Sequence, residues 1–192
     1  MIRIIGGKDK GRKLKMVPSP LVRPLPAKLR EALFNILRDR VLDTFFLDGF
    51  AGTGSVGLEA LSRGASRAVF IEELPMAAKI IEANISKCGA DDRALVMNKE
   101  FNRAVIDLAK KSVKFNLIFL DPPYKLLAER NPLKVIRKRG ILKPEGLLII
   151  RHHRQFSPSK DDFKLVRQVN FGEDLFSFYS GEVIKGAYKE GK

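Results

Sequence analysis

Apolar and polar positions change rhythm twice along this chain, and each change marks a different kind of element. Residues 2–5 and 13–17 are short apolar runs and alternations separated by Gly6, Gly7 and Gly11, which predicts a β-hairpin with a mobile tip. Pro18, Pro20, Pro24 and Pro26 then keep the backbone extended and exclude helix. Over about 27–40, Leu29, Leu33, Phe34, Ile36 and Leu37 recur at helical spacing and predict an amphipathic helix.

Beyond residue 43 strands and helices alternate. Strands are predicted at 45–47, 68–72, 93–97, 115–120 and 146–151, with helices at about 55–63, 75–87, 102–110 and 126–139. Pro75 suits a first helical turn, and Cys88-Gly89 stops the helix it begins. The run 115–120 is almost wholly apolar, as in a strand covered on both faces. Segments 163–170 and 175–181 flank Gly172 and predict a closing antiparallel hairpin. Such alternation makes a doubly wound α/β sheet with ligands at the carboxyl ends of its strands. The division expected is a basic hairpin and linker over 1–26, one domain over 27–184 and a frayed tail over 185–192.

Composition adds a partner. Lys+Arg number 36 against 22 Asp+Glu, a formal net charge of +14. Nine of the cations fall in the first 30 residues, where Asp9 is the one acid. A second basic cluster runs through Lys134, Arg137, Lys138, Arg139, Lys143, Arg151 and Arg154. Such an excess favours a polyanion, through neutralised phosphates and released counterions. No apolar run approaches the ~20 residues that cross a bilayer. Arg3, Lys8, Lys10, Arg12 and Lys13 occupy the place of a leader's apolar stretch, so a cytoplasmic location is expected. Cys88 is the lone cysteine, which excludes an internal disulfide and a cysteine-rich zinc site.

Two loops carry candidate chemistry. Phe50, Ala51, Gly52, Thr53 and Gly54 follow a strand and open a helix, and Gly52, Gly54 and Gly57 fit G-x-G-x-x-G. Glu72 ends the next strand, 20 positions after Gly52, where a carboxylate accepts hydrogen bonds from ribose hydroxyls. Asp48, just before the loop, would repel a pyrophosphate but suits the ammonium group of a methionine moiety; together they favour S-adenosyl-L-methionine. Glu100, after the third strand, either meets the adenine amino group or is an ordinary acid at a helix start.

The second loop is Asp121, Pro122, Pro123 and Tyr124, closing the apolar strand. An exocyclic base amine is a poor nucleophile because its lone pair is delocalised into the ring. A carboxylate oxygen of Asp121 and the carbonyl of Pro122 can each accept one amine hydrogen and free that lone pair. The prolines hold the carbonyl rigidly, and Tyr124 offers a face on which an extruded base stacks. Positioning and electrostatics carry such a transfer, and no metal is needed. His152 and His153 sit among arginines and are expected to face phosphate or solvent.

Several segments together resemble the RsmD family. They are Arg3 through Gly7, Gly11 through Leu14, Arg23-Pro24, Arg30 through Leu37, the loop 50–54, Gly57 through Ala65, and Asp121 through Tyr124. That resemblance implies a class I S-adenosylmethionine-dependent methyltransferase of Rossmann-like fold. Its sheet would have seven mostly parallel strands, with the N-terminal hairpin as an extension. It implies methylation of guanine N2 in 16S ribosomal RNA, presented in the small ribosomal subunit or an assembly intermediate, by a monomer. Arg3, Lys8, Lys10, Arg12, Lys13, Arg23, Lys28 and Arg30 would grip the RNA.

The chain departs from the family pattern at Leu25-Pro26-Ala27, where Thr-x-Asp is usual, and at Gly49, where a bulkier apolar residue is common. The rival functions are an adenine-N6 DNA methyltransferase and a catalytically silent RNA-binding or ribosome-assembly factor.

Overall fold

The nearly continuous apolar run 115–120 becomes the middle of a seven-stranded sheet. A computed structural model of the chain describes residues 2–20, 22, 24–123, 126–127, 131–155 and 162–182. Two short strands, β1 (Ile2–Arg3) and β2 (Lys13–Leu14), pair antiparallel. The main sheet comprises β3 (Phe45–Gly49), β4 (Arg67–Ile71), β5 (Ala94–Met97), β6 (Phe115–Leu120), β7 (Leu142–His153), β8 (Lys164–Phe171) and β9 (Asp174–Ser180). The helices are α1 (Ala27–Leu37), α2 (Ser55–Ser62), α3 (Pro75–Lys87), α4 (Phe101–Lys110) and α5 (Pro132–Arg139).

Strand order is β5-β4-β3-β6-β7-β9-β8, parallel throughout except for β9, which runs antiparallel to both neighbours. Chain direction across the sheet reverses between β3 and β6, so the crevice for a ligand opens at their carboxyl ends. Of the helix expected over 126–139, the part from 132 is found as α5, which starts there because Asn131 is extended and its Oδ1 accepts from the amides of Leu133 and Lys134; residues 128–130 lie outside the described residues. The expected tail over 185–192 also lies outside them. β7 starts at Leu142 rather than 146, because an irregular register against β6 between Phe115 and Leu117 extends the pairing.

Two apolar layers cover the sheet. One packs Leu33, Phe34 and Leu37 of α1, Val56, Leu58 and Leu61 of α2, and Ile81 and Ile85 of α3 on Phe46, Phe70 and Phe119. The other packs α4 and α5, through Val105, Leu108, Leu133 and Ile136, on Leu47, Ile118 and Leu148. Every residue of α2 is buried, so its polar side chains need partners inside the protein.

The N-terminal hairpin supplies those partners. Glu59, fully buried, accepts from the amides of Ile5 (2.8 Å) and Gly6 (2.7 Å) and pairs with Arg63 Nε at 2.8 Å. Ser62 Oγ donates to the Gly6 carbonyl and accepts from the Asp9 amide, and the Lys8 amide donates to the Ser62 carbonyl. Arg12 reaches the Lys87 carbonyl, and Ile2, Ile4 and Leu14 join the first apolar layer. The expectation of a mobile tip is thereby corrected: its backbone is hydrogen-bonded to the end of α2.

Arg30 is corrected too. Expected on the surface as an RNA contact, it is 1% exposed, donates from Nη2 to the Arg3 carbonyl, and lies 3.6 Å from Glu59. Burial lowers its pKa and Glu59 pushes it back up. A guanidinium enclosed this way ties hairpin to helix and cannot meet a phosphate.

Candidate active site

The crevice between β3 and β6 gathers both loops. The Asp121 amide donates to the Gly49 carbonyl at 3.4 Å, which sets the end of β6 beside the end of β3. From Gly49 the chain turns through Phe50, whose φ of 63° lies in the left-handed region. That conformation costs a side chain about 1–3 kcal/mol, strain of the kind found at ligand sites. Gly52 and Gly54, at φ 57° and 74°, complete the turn into α2 without such strain.

Glu72 closes the loop from β4. Its Oε2 accepts from the Gly52 amide at 2.8 Å and its Oε1 from the Leu74 amide at 2.9 Å. Burial raises its pKa while those amides lower it. A carboxylate has about four acceptor positions, so capacity for ribose hydroxyls remains. Glu72 borders a 390 Å³ cavity together with Phe50, Leu74, Lys99, Phe101 and Asp121.

Asp48 lies deeper, 2% exposed, and shares a small adjoining cavity with Pro24, Leu25, Ala51 and Asp121. Burial drives its pKa well above the usual range; the Gly57 amide opposes this, while Asp121 and Glu72 add to it. Leu25, 4% exposed, stands where the family pattern has Thr, so an apolar side chain roofs this end of the site. At the next position no side chain caps α1, whose N-cap is Pro26.

Asp121 is oriented by a residue whose sequence context suggested a phosphate-facing cation. Arg151 Nη1 donates to both of its oxygens, at 3.2 and 3.1 Å, and Nη2 donates to Asp174 at 3.1 Å. Burial raises the Asp121 pKa, Arg151 lowers it by charge and hydrogen bond, and Asp174 raises it. Pro122 is buried and Pro123 borders the large cavity; Tyr124 lies outside the described residues.

Of the two readings of Glu100, the helix-start acid is the one with a bond to show. Its Oε2 accepts from the Arg103 amide at 3.0 Å, capping α4, and it borders a neighbouring 420 Å³ cavity instead. Phe101 takes the place beside the cofactor loop, its ring stacked on Phe50 with centroids 4.6 Å apart. Gly49 makes room for it, since a Cβ there would stand 2.8 Å from the Phe101 ring and 2.6 Å from Leu120. The Gly49 departure is therefore matched by Phe101.

His152 is also corrected. It is 2% exposed, with Nε2 2.7 Å from Ser177 Oγ inside the sheet, so it faces neither phosphate nor solvent. Arg3, Lys8, Lys10, Arg12, Lys13 and Lys28 are exposed as expected, and Arg23 lies outside the described residues. Phe101, Arg151 and Asp174 were not expected in the site from the sequence. An aromatic opening the helix after the third strand signals the first, and a charged residue ending a strand next to that of Asp121 signals the second.

The family model described as Conserved hypothetical protein 95 matches residues 2–180. The Ribosomal RNA small subunit methyltransferase D of Escherichia coli (strain K12) is 38% identical over 149 residues, 78% of this chain and 73% of that protein. The solved structure of a hypothetical protein from Thermus thermophilus superposes with a TM-score of 0.80 at 31% identity, covering 94% of this chain and 99% of that one. An RNA methyltransferase from Salinibacter ruber, solved with S-adenosyl-L-homocysteine, shares the fold with a TM-score of 0.66 at 15% identity, over 87% of this chain and 100% of that one.

The site's residues fit the cofactor of such enzymes. Asp48, Glu72 and Asp121 form an acidic border for a sulfonium and an ammonium group, and the Gly52 backbone stands open to close approach, with Val22 Cγ1 3.2 Å from where its Cβ would be. The chain belongs to the RsmD family and is a methyltransferase whose cofactor is S-adenosyl-L-methionine.

Proposed function

We propose that this enzyme methylates the exocyclic N2 amine of a guanine in 16S ribosomal RNA, presented by the small ribosomal subunit or an assembly intermediate. The observation that carries the reading is Asp121, held ionisable and oriented at the switch point beside the cofactor cavity. The name of the Escherichia coli relative supports the ribosomal target.

When bound, S-adenosylmethionine supplies a methyl group on a sulfonium that leaves readily. The protein's part is orientation. Asp48 would face the methionine ammonium and Glu72 the ribose hydroxyls. Phe50 and Phe101 would border the adenosine, with Leu74 across the cavity. Asp121 and the Pro122 carbonyl would accept the two amine hydrogens and turn the nitrogen's lone pair toward the methyl group. Tyr124 would stack on the extruded base.

Arg3, Lys8, Lys10, Arg12, Lys13 and Lys28 would engage phosphates, so segment 1–26 acts as an RNA-binding part built onto the methyltransferase domain. Its tip sits at the far end of α2, about 12 Å along that helix from the cofactor loop. RNA held at the hairpin would thus have to extend over the surface to reach Asp121. No described helix is long and apolar enough to cross a membrane, and we place the enzyme in the cytoplasm as a monomer.

The test offers small ribosomal subunits, naked 16S RNA and DNA with labelled cofactor and identifies the modified nucleoside by mass spectrometry. N2-methylguanosine from the ribosomal substrates is expected. N6-methyladenine in DNA would replace the proposal with a DNA methyltransferase. Asp121→Ala should abolish transfer while cofactor binding persists; unchanged turnover would overturn the mechanism.

A further inference from the structure

Arg151 sits at the carboxyl end of β7, where the register of Leu120 on Ile150 sets it beside Asp121. Its two terminal nitrogens serve two acids: Nη1 bonds both oxygens of Asp121, and Nη2 lies 3.1 Å from each oxygen of Asp174. Asp174 begins β9, the antiparallel neighbour, so the guanidinium is anchored on a different strand from the one it serves. The Arg151, Asp121 and Asp174 side chains are only 16%, 17% and 22% exposed, too enclosed for water to replace these bonds freely.

The surrounding charges make this cation consequential. Asp48 faces Asp121 from β3, Glu72 and Glu73 from the end of β4, and Asp174 from β9, while Lys99 is a cation across the cavity. Burial, and after it the Asp174 carboxylate, disfavours the charge on Asp121, and a carboxylate with no fixed donor is free to turn. A planar guanidinium opposes both effects, with fixed donors that set the plane of the acid. We propose that Arg151 is a positioning residue for methyl transfer, holding Asp121 ionised and in one orientation, with Asp174 as its anchor.

The inference rests on the reading of Asp121 as the amine's acceptor, and the experiment separates the two. Methyl transfer to small ribosomal subunits would be followed against pH for wild type, Asp121→Ala, Arg151→Gln, Arg151→Lys and Asp174→Asn. Titration with S-adenosylhomocysteine confirms that each variant is folded. Without the arginine's charge, the acidic limb of the Arg151→Gln profile should move up by about one pH unit or more. At a pH below that limb, kcat should then fall about tenfold for each pH unit the limb has moved, with KM unchanged. Arg151→Lys should restore the limb but not the full rate, because an ammonium lacks the fork that spans both acids. Asp174→Asn removes a like charge and should move the limb down, a sign that a merely structural role would not produce.

An unshifted limb in Arg151→Gln, with Asp121→Ala inactive, would overturn the positioning role alone. Wild-type turnover in Asp121→Ala would instead overturn the proposed mechanism. Should Arg151→Gln fail to fold, the other two variants decide: a wild-type limb at a lower rate is expected in Arg151→Lys and a limb moved down in Asp174→Asn, and a limb that stays put or moves up in Asp174→Asn overturns the inference.

Discussion

The amide of Gly57 donates to Asp48 Oδ2 at 2.8 Å, tying the first turn of α2 to the end of β3 through a buried carboxylate. Gly57 can approach because a Cβ there would collide with the Phe70 ring. Burial is the main reason that Asp48 holds its proton well above the usual carboxylate range, with Asp121 and Glu72 adding to it. A bound ammonium group would favour the ionised form. Cofactor binding should therefore release a proton and tighten as pH rises through the free protein's Asp48 titration. Calorimetric titrations in two buffers of different ionisation enthalpy would report this release, which Asp48→Asn should reduce. Equal heats in both buffers for wild type would refute the coupling.

The same group gives a stability prediction. Its folded pKa is raised above the ordinary 3.8, so the folded chain holds the proton more tightly than the unfolded one. The stabilisation is complete below that ordinary value and is lost as pH rises through the raised one. Urea midpoints of wild type should decline across that window more steeply than those of Asp48→Asn, whose amide oxygen can still accept from Gly57. Parallel slopes would show that Asp48 does not carry the effect.

Glu59→Ala should cost about 3–5 kcal/mol, because it strips the acid partner from buried Arg30 and orphans the Ile5 and Gly6 amides. Glu59→Gln keeps acceptor capacity and should cost less. Urea denaturation gives both values, and limited proteolysis between residues 5 and 17 should accelerate in the Ala variant first. A loss below about 1 kcal/mol would mean that other contacts hold the hairpin.

Gly49 and Phe101 should behave as one unit. Gly49→Ala would push the Phe101 ring off Phe50 and weaken S-adenosylmethionine binding. In the Phe101→Ala background the extra methyl no longer meets the Phe101 ring and is left with the contact to Leu120, so its cost should shrink. The double-mutant cycle should give a coupling of about 0.5–3 kcal/mol, read by cofactor titration. Strict additivity would dissolve the pairing.

What the sequence made legible was local. The strand over 115–120 and the helix over 75–87 have the expected bounds, because a nearly continuous apolar run and a proline at a first turn are properties of contiguous residues. The glycine loop and the Asp121 loop were visible for the same reason. Lateral relationships were hidden. Arg151, Arg30 and His152 look like surface groups in the chain, and only strand register or hairpin docking reveals Asp121, Glu59 and Ser177 as their partners. Periodicity says which face a side chain takes, but not which strand lies beside it. Glu100 was ambiguous because an acid before a helix serves a cap or a ligand equally well.

Packing of the hairpin also decides how its RNA role can be tested. Ile2, Ile4, Leu14 and Val17 are buried, so deleting residues 1–17 would remove core as well as charge. Arg12 is tied to Asp9 and Lys87, and Arg3 to Gly11. Lys8, Lys10 and Lys13 are exposed, and their side chains can be neutralised with little effect on the core. Replacing these three by Gln should leave the melting temperature and cofactor affinity near wild type. RNA affinity should fall, and the slope of log K against log salt should flatten by about 0.7–0.9 for each phosphate no longer neutralised. Unaltered affinity with an unaltered slope would place these lysines outside the RNA interface and move the search to Lys134 and Lys138, which border a separate 510 Å³ cleft.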